Sequence, residues 1–414
     1  MNALAVLLLV QGSPLDFAKT AYEQGRLFDL ARIVNKVGGQ QGVGAFLQGY
    51  VLAGRNRSES AIPMLRKAAS TTHGIWRRRS LETLGTTYAR MGSYRAASAS
   101  FESVLRAKDF PLTEKERIST ENSKKVFESL RHVPPMTARI PSDVRLQVPK
   151  SPGFKLPFEC GGAELTLTAD TGADFSLVRE SLARKMKLRQ IKNEVDLGSI
   201  TGDKTRAWFA VADRLRFGSA EVRNVVFLVM RDENLFIPQL KFQLDGVIGL
   251  PVLLKLKDVT FHKDGRVDIR KSTVSTEASN LFLSGFKPFV VGKYQGKEFT
   301  FAFDSGANTT MFYLPFFRAF RAEIEARGFP TKSRMAGVAG VRESAAYTLI
   351  DLSLEFADRS AAFSKVDVIT EVRDDAGRKF FGNVGQDLML QFESARFNWR
   401  SMRLSLNGKR GSAE

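Results

Sequence analysis

Two short stretches of the chain set a carboxylate in the same surroundings. "ELTLTADTGADFSLV" begins at Glu164 and "EFTFAFDSGANTTMF" at Glu298, with the cores Asp170-Thr171-Gly172-Ala173 and Asp304-Ser305-Gly306-Ala307. Paired carboxylates are acid–base chemistry. Two of them about one hydrogen bond apart cannot both ionise easily, so one keeps its proton while the other is charged, and the pair offers an acid and a base together. A wider pair serves glycosidases, and sequence does not measure the separation. A single Asp-X-Gly also makes an ordinary hairpin turn.

The frames around the two cores agree beyond the core itself. Gly162 and Gly296 stand eight residues before the Asp, Glu164 and Glu298 six before, and Thr166 and Thr300 four before, with large apolar residues (Leu165 and Phe299, Leu167 and Phe301) at five and three before. Downstream, Gly249 in "DGVIGLPVLL" lies 79 residues after Asp170, and Gly385 in "GNVGQDLML" lies 81 after Asp304. Chance does not keep both a local core and a distant glycine motif, so the pattern reads as internal duplication.

On these residues the chain, over roughly 139–406, resembles the retropepsin-like aspartic proteases, here with both lobes in one chain. The resemblance implies two similar β-lobes, each giving one Asp-Thr/Ser-Gly turn to a shared cleft and each closed by a hydrophobic-hydrophobic-Gly strand. It implies Asp170 and Asp304 as the catalytic pair of an endopeptidase without metal or cofactor, acting on a protein or peptide substrate. The charged Asp would deprotonate a bound water and the protonated one would donate to the peptide carbonyl. Which Asp carries the proton stays open, because such a pair titrates as a unit. Thr171 and Ser305 are implied to cross-link the two loops beneath the dyad, while Gly172 and Gly306 let the backbone turn its N–H groups onto the carboxylates. The resemblance also suggests flaps at Gly202 and at Gly337 and Gly340, where glycine supplies a lid's mobility.

The sequence departs from that pattern in places. Ala173 and Ala307 stand where pepsin-like relatives carry a hydroxyl that holds the charged carboxylate, so an optimum nearer neutral than strongly acid is expected. Asn383 replaces the apolar residue found at Val247 in the first closing motif. Neither flap segment has an obvious aromatic at its tip.

Elements that hold such loops follow from periodicity. Short alternating runs such as "RLQV", "ELTLTA", "VVFLVM", "DVTFH" and "RVDIR", broken by Gly or Asp turns, predict an all-β, two-lobed pepsin/retropepsin-like unit, lobe one over 139–272 and lobe two over 281–408. The polar stretch Lys271 to Asn280 divides them. Residues 15–131 instead show helical spacing and predict an all-α region. There Leu81, Leu84, Gly85, Tyr88, Gly92, Tyr94, Ala97 and Phe101 put small residues where two antiparallel helices touch, a spacing that resembles the tetratricopeptide repeat. A second copy has Gly49, Ala61, Leu65 and Ala68 in equivalent places, and a vaguer first copy holds Gly25 and Ala31. Such repeats stack into a surface for a peptide or protein partner; the plainer alternative is a helical cap on the next domain. Five prolines in 132–153 mark a linker that runs into the first strand.

Composition narrows the function classes. A chain of 414 residues, 43% hydrophobic, exceeds one core and excludes wholesale disorder. The 62 Lys and Arg against 44 Asp and Glu give +18, which favours anionic surroundings. The basic residues are dispersed, without an aromatic-basic readout motif, so no nucleic-acid partner is expected. One cysteine, Cys160, and three scattered histidines, His73, His132 and His262, supply neither a disulfide framework nor a metal site. The opening "MNALAVLLLVQGSP" reads as a signal peptide over 1–14 that lacks a basic start, or as a buried N-terminal helix. The protein is exported, periplasmic or secreted, on the first reading and cytoplasmic on the second. No other run reaches a membrane span. Two lobes per chain make a monomer sufficient for catalysis. The competing reading is a protease-like scaffold without turnover that binds partners through its repeats.

Overall fold

The fold is known from a computed structural model that describes residues 13–37, 42–148, 154–198, 204–237, 241–271, 277–337, 340–371 and 375–409. The apolar run of the opening segment and the expected flap residue Gly202 lie outside these residues.

The described residues begin with seven α-helices: α1 Pro14–Glu23, α2 Leu27–Ile33, α3 Gly42–Gly54, α4 Ser58–Thr71, α5 Gly74–Met91, α6 Tyr94–Arg106 and α7 Glu114–Ser129. Their ends follow local chemistry. Ser13 caps α1 by accepting from the Asp16 N–H, and α7 opens on a capping box between Thr113 and Glu116. Helix α5 ends on Gly92, whose φ of 80° is the left-handed conformation that glycine adopts without strain. From α3 onward each helix packs on the next. The close approaches sit on glycines: a Cβ on Gly49 would lie 2.8 Å from Leu65 of α4, and one on Gly85 would lie 2.7 Å from Phe101 of α6. The same relationship recurs 36 residues later. The vaguer first copy behaves differently. Gly25, at φ 70°, makes the turn between α1 and α2, and a Cβ there would meet Phe380 and Lys379 of the second half rather than the next helix of the region.

After α7 the chain is β-rich. Two eight-stranded sheets each close on themselves through an additional pairing, leaving six strands in a ring. The first ring runs Lys155–Cys160, Ala163–Asp170, Gly246–Gly249, Ser176–Arg179, Ala220–Met230, Lys204–Phe217 and back to the start. The second runs Lys287–Tyr294, Lys297–Phe303, Gly382–Val384, Met311–Phe312, Arg359–Ile369, Gly340–Phe356 and back. The parallel pairs occupy the same places in both rings. The strand that leads into each Asp loop lies parallel to the strand of the distal glycine motif, and the strand after the loop lies parallel to a long later strand.

A five-stranded antiparallel sheet joins the two halves: Val144–Gln147, Arg266–Ile269, Asp258–His262, Phe392–Asn398 and Arg403–Lys409. Its central seam pairs Asp258–His262 of the first half with Phe392–Asn398 of the second. Arg396 crosses that seam to the fully buried Asp258 with two hydrogen bonds, 2.9 and 2.6 Å, which satisfy a carboxylate that is costly to bury alone. The expected linker joins the β-region at once: Thr137–Arg139 pairs with Ala220–Met230 of the first eight-stranded sheet, and Val144–Gln147 edges the joining sheet.

The helical region shares a core with the β-halves. Phe282, Phe286, Phe289 and Phe380 of the second half, and Phe209, Val211 and Val226 of the first, are buried in one apolar cluster with Phe46, Tyr50, Tyr94 and Phe127 of the helices. The expected all-α region followed by a two-lobed β-region is what the chain forms. Among the described residues no helix is long and apolar enough to cross a membrane, and no cluster of three metal-ligating side chains occurs.

Candidate active site

Asp170 ends a strand of the first ring and Asp304 follows the equivalent strand of the second. Each then turns tightly, with the Gly172 N–H donating to Asp170 Oδ1 at 2.8 Å and the Gly306 N–H donating to Asp304 Oδ1 at 2.9 Å. The loops meet face to face. A Cβ on Gly172 would lie 2.5 Å from Asp304 Oδ1, and a Cβ on Gly306 would lie 2.5 Å from Asp170 Cγ. Only glycine lets each carboxylate rest against the opposite loop.

Beneath the carboxylates Thr171 and Ser305 are both buried. Each hydroxyl accepts the backbone N–H of the other residue, at 2.9 and 3.0 Å, and donates to the carbonyl of the residue just before the opposite Asp: Thr171 to Phe303 at 3.2 Å, Ser305 to Ala169 at 2.7 Å. Four hydrogen bonds thereby fix the separation of the two loops and satisfy both hydroxyls and both N–H groups.

The distal motifs support the loops in matching ways. Gly249 pairs with Asp170 in parallel register, and the Asp304 N–H donates to Val384 O at 2.9 Å. The Leu250 N–H donates to Ala173 O at 3.1 Å, and the Gln386 N–H to Ala307 O at 2.8 Å. Asn383, the polar departure in the second motif, pairs in register with Ala302 and Met311, so the backbone tolerates it. Two further hydroxyls escaped the sequence reading. Ser176 Oγ accepts from the Gly249 N–H and Thr310 Oγ1 from the Gly385 N–H, both at 3.1 Å. Each stands six residues after its Asp, a shared offset that identifies them in hindsight.

Burial and the facing Asp304 carboxylate push the Asp170 carboxyl up to about 7, against the opposing pull of the Gly172 N–H and the Lys287 ammonium. Because the facing carboxylate adds to the effect of burial, the titration belongs to the pair as a unit. Lys287 is a third residue the sequence reading missed. Its ammonium donates to Gly172 O and lies 3.5 Å from Asp174 Oδ1. No matched frame could reveal it, because Gly153 stands at the equivalent offset in the first half.

The expected flap glycines 337 and 340 face each other as the last antiparallel pair of the strands Phe329–Gly337 and Gly340–Phe356. Cys160 is buried, its Sγ donating to Met186 O at 3.5 Å, and burial pushes the thiol up to about 11.

Comparison with known proteins finds a family match in the first half of the β-region. Residues 156–252 match the family model described as Aspartyl protease. That segment holds Asp170 with its closing glycine motif, and the match supports a protease-type function in general terms. No curated protein matches the chain. Among solved structures, the crystal structure of a retropepsin-like aspartic protease from Rickettsia conorii aligns over 32% of this chain and 90% of its own, at 15% identity and a TM-score of 0.22.

Proposed function

We propose that the protein is an aspartic endopeptidase in which Asp170 and Asp304 activate one water between them. The observation that carries this reading is reciprocal: each dyad loop touches the other's carboxylate at a glycine and holds the other's backbone through a hydroxyl. A pair packed this closely shares a proton, since ionising the second carboxyl beside the first is costly. The charged member takes a proton from the water as it attacks a peptide carbonyl, and the protonated member donates to the carbonyl oxygen. Thr171, Gly172, Ser305 and Gly306 are the supporting residues, and the hairpin at 337 and 340 serves as a flap together with the segment of Gly202.

The direct side-chain hydrogen bond between Asp170 and Asp304 argues against glycosidase chemistry, whose carboxylates stand ~5 Å or more apart to admit a sugar or water between them. The substrate is a protein or peptide, and the helical region, built of tetratricopeptide-like pairs, is the surface for a protein partner. The two halves of the site come from one chain, so a monomer is sufficient.

The test is cleavage of an unstructured protein such as casein across pH 3–8 by the wild type, Asp170→Asn and Asp304→Asn. Hydrolysis by the wild type alone supports the reading. Hydrolysis that survives either substitution sinks it.

A further inference from the structure

The turn from Ser284 to Lys287, at the start of the second half, makes a contact outside its own hairpin at every residue. Ser284 Oγ accepts from Tyr50 Oη of α3 at 2.8 Å. Gly285 O accepts from Arg90 Nη1 of α5 at 3.1 Å. The Phe286 ring lies 6.4 Å from that of Phe175, which itself packs on Phe127 of α7 at 6.5 Å. Lys287 then reaches across to Gly172 O and Asp174 on the loop that carries Asp170. Two residues of the turn are thus held by helices, and the last one holds the dyad loop.

Arg90 is the unusual member. It is buried, its Nη2 donates to Ala53 O at 2.8 Å, and its Nε has no hydrogen-bond partner. No carboxylate pairs with it among the described residues. Burying a guanidinium without a counter-charge is costly, and a packed helical cap would not need one there. What Arg90 does accomplish is to join α3, through Ala53, to Gly285 of the turn.

We propose that the helical region positions the dyad: α3 and α5 hold the turn 284–287 so that Lys287 stays on the Asp170 loop and stabilises its charged form. The inference rests on the dyad reading above but concerns how that dyad is set. The charges facing Asp170 are Asp304 from the opposite loop and Lys287 from the turn, while Asp174 of its own loop pairs with Lys287. Lys287 is a positioning residue, since it acts through the Asp170 loop.

The test is a carboxyl NMR titration of the full chain carrying carbon-labelled aspartate, with Asp170 assigned by loss of its signal in Asp170→Asn. Lys287→Met is expected to raise the apparent Asp170 titration point by about half a unit or more, and Lys287→Arg to restore it. Tyr50→Phe and Arg90→Met are expected to raise it by a smaller amount, and to add nothing further when combined with Lys287→Met. Tyr50→Phe removes one hydroxyl without opening a cavity, so the cycle stands even if Arg90→Met fails to fold. An unchanged titration in Lys287→Met overturns the proposal, and so does a Tyr50→Phe effect that is absent or persists undiminished in the Lys287→Met background. The titration needs no turnover. A shift without any hydrolysis by the wild type keeps the coupling and rejects the protease reading, whereas hydrolysis without a shift does the reverse.

Discussion

Thr171 and Ser305 each accept the backbone N–H of the other, at 2.9 and 3.0 Å, across a contact that joins residues 134 apart in sequence. The relationship makes two loops from two β-rings behave as one object. It also predicts non-additivity. Thr171→Val or Ser305→Ala alone leaves buried N–H and carbonyl groups unpaired and costs about 1–3 kcal/mol. The double variant is expected to cost clearly less than the sum, because both remove the same network. Urea denaturation of the three variants measures this, and strict additivity would separate the two loops.

Gly172→Ala and Gly306→Ala place a methyl group 2.5 Å from the opposite carboxylate. The loops must part to admit it. Both variants are expected to lose hydrolysis by at least about tenfold, with a stability loss of about 1–3 kcal/mol. Gly296→Ala serves as the control for activity, since a Cβ there meets nothing within 4 Å, although its φ of 72° brings some strain. Full activity in Gly172→Ala would contradict the loop packing.

Burial and Asp304 raise the Asp170 carboxyl to about 7, above its unfolded value of ~3.9. The folded state therefore binds the proton more tightly. The dyad's contribution to stability is fully present below about pH 4 and is lost as the pH rises through about 7. Relative to the wild type, Asp304→Asn is expected to lose less stability between pH 4 and pH 8, as it removes the repelling charge. Parallel stability profiles would contradict the account. The same shift, with Ala173 and Ala307 unable to donate to the carboxylates, predicts activity centred nearer neutral than acid. A pH–rate profile peaking below about pH 3, the range of a strongly acidic dyad, would contradict it.

The helical region and the second half share a core, and Gly54 shows how tightly. A Cβ there would fall 2.1 Å from the ring of Phe282. Gly54→Ala is expected to destabilise the whole chain by about 1–3 kcal/mol in one transition, rather than release the helices alone. Two separate transitions by circular dichroism and tryptophan fluorescence would show the interface to be loose.

The parts legible in the sequence are those written twice. The dyad loops and their distal glycines could be aligned offset by offset, and Gly49 and Gly85 share a helical register with Leu65 and Phe101 sixteen residues on. Ser176 and Thr310 were legible in principle, at the same offset, but a lone hydroxyl gives no reason to be noticed until its N–H partner is seen. Lys287 was not legible. Its contact with Gly172 spans 115 residues and depends on where the helices hold an ordinary-looking "SGFK" turn. Gly25 misled in the opposite sense, since a glycine before a helix serves a left-handed turn as readily as a close approach.

The central claim is that Asp170 and Asp304 form one catalytic unit, and casein cleavage near neutral pH by the wild type and the two Asp→Asn variants tests it most directly. The account predicts hydrolysis by the wild type, and a loss of at least about a thousandfold in Asp170→Asn and Asp304→Asn, no greater in the double variant than in either alone. A correctly folded wild type that cuts nothing between pH 3 and pH 8, or a single variant that still cuts, would contradict it.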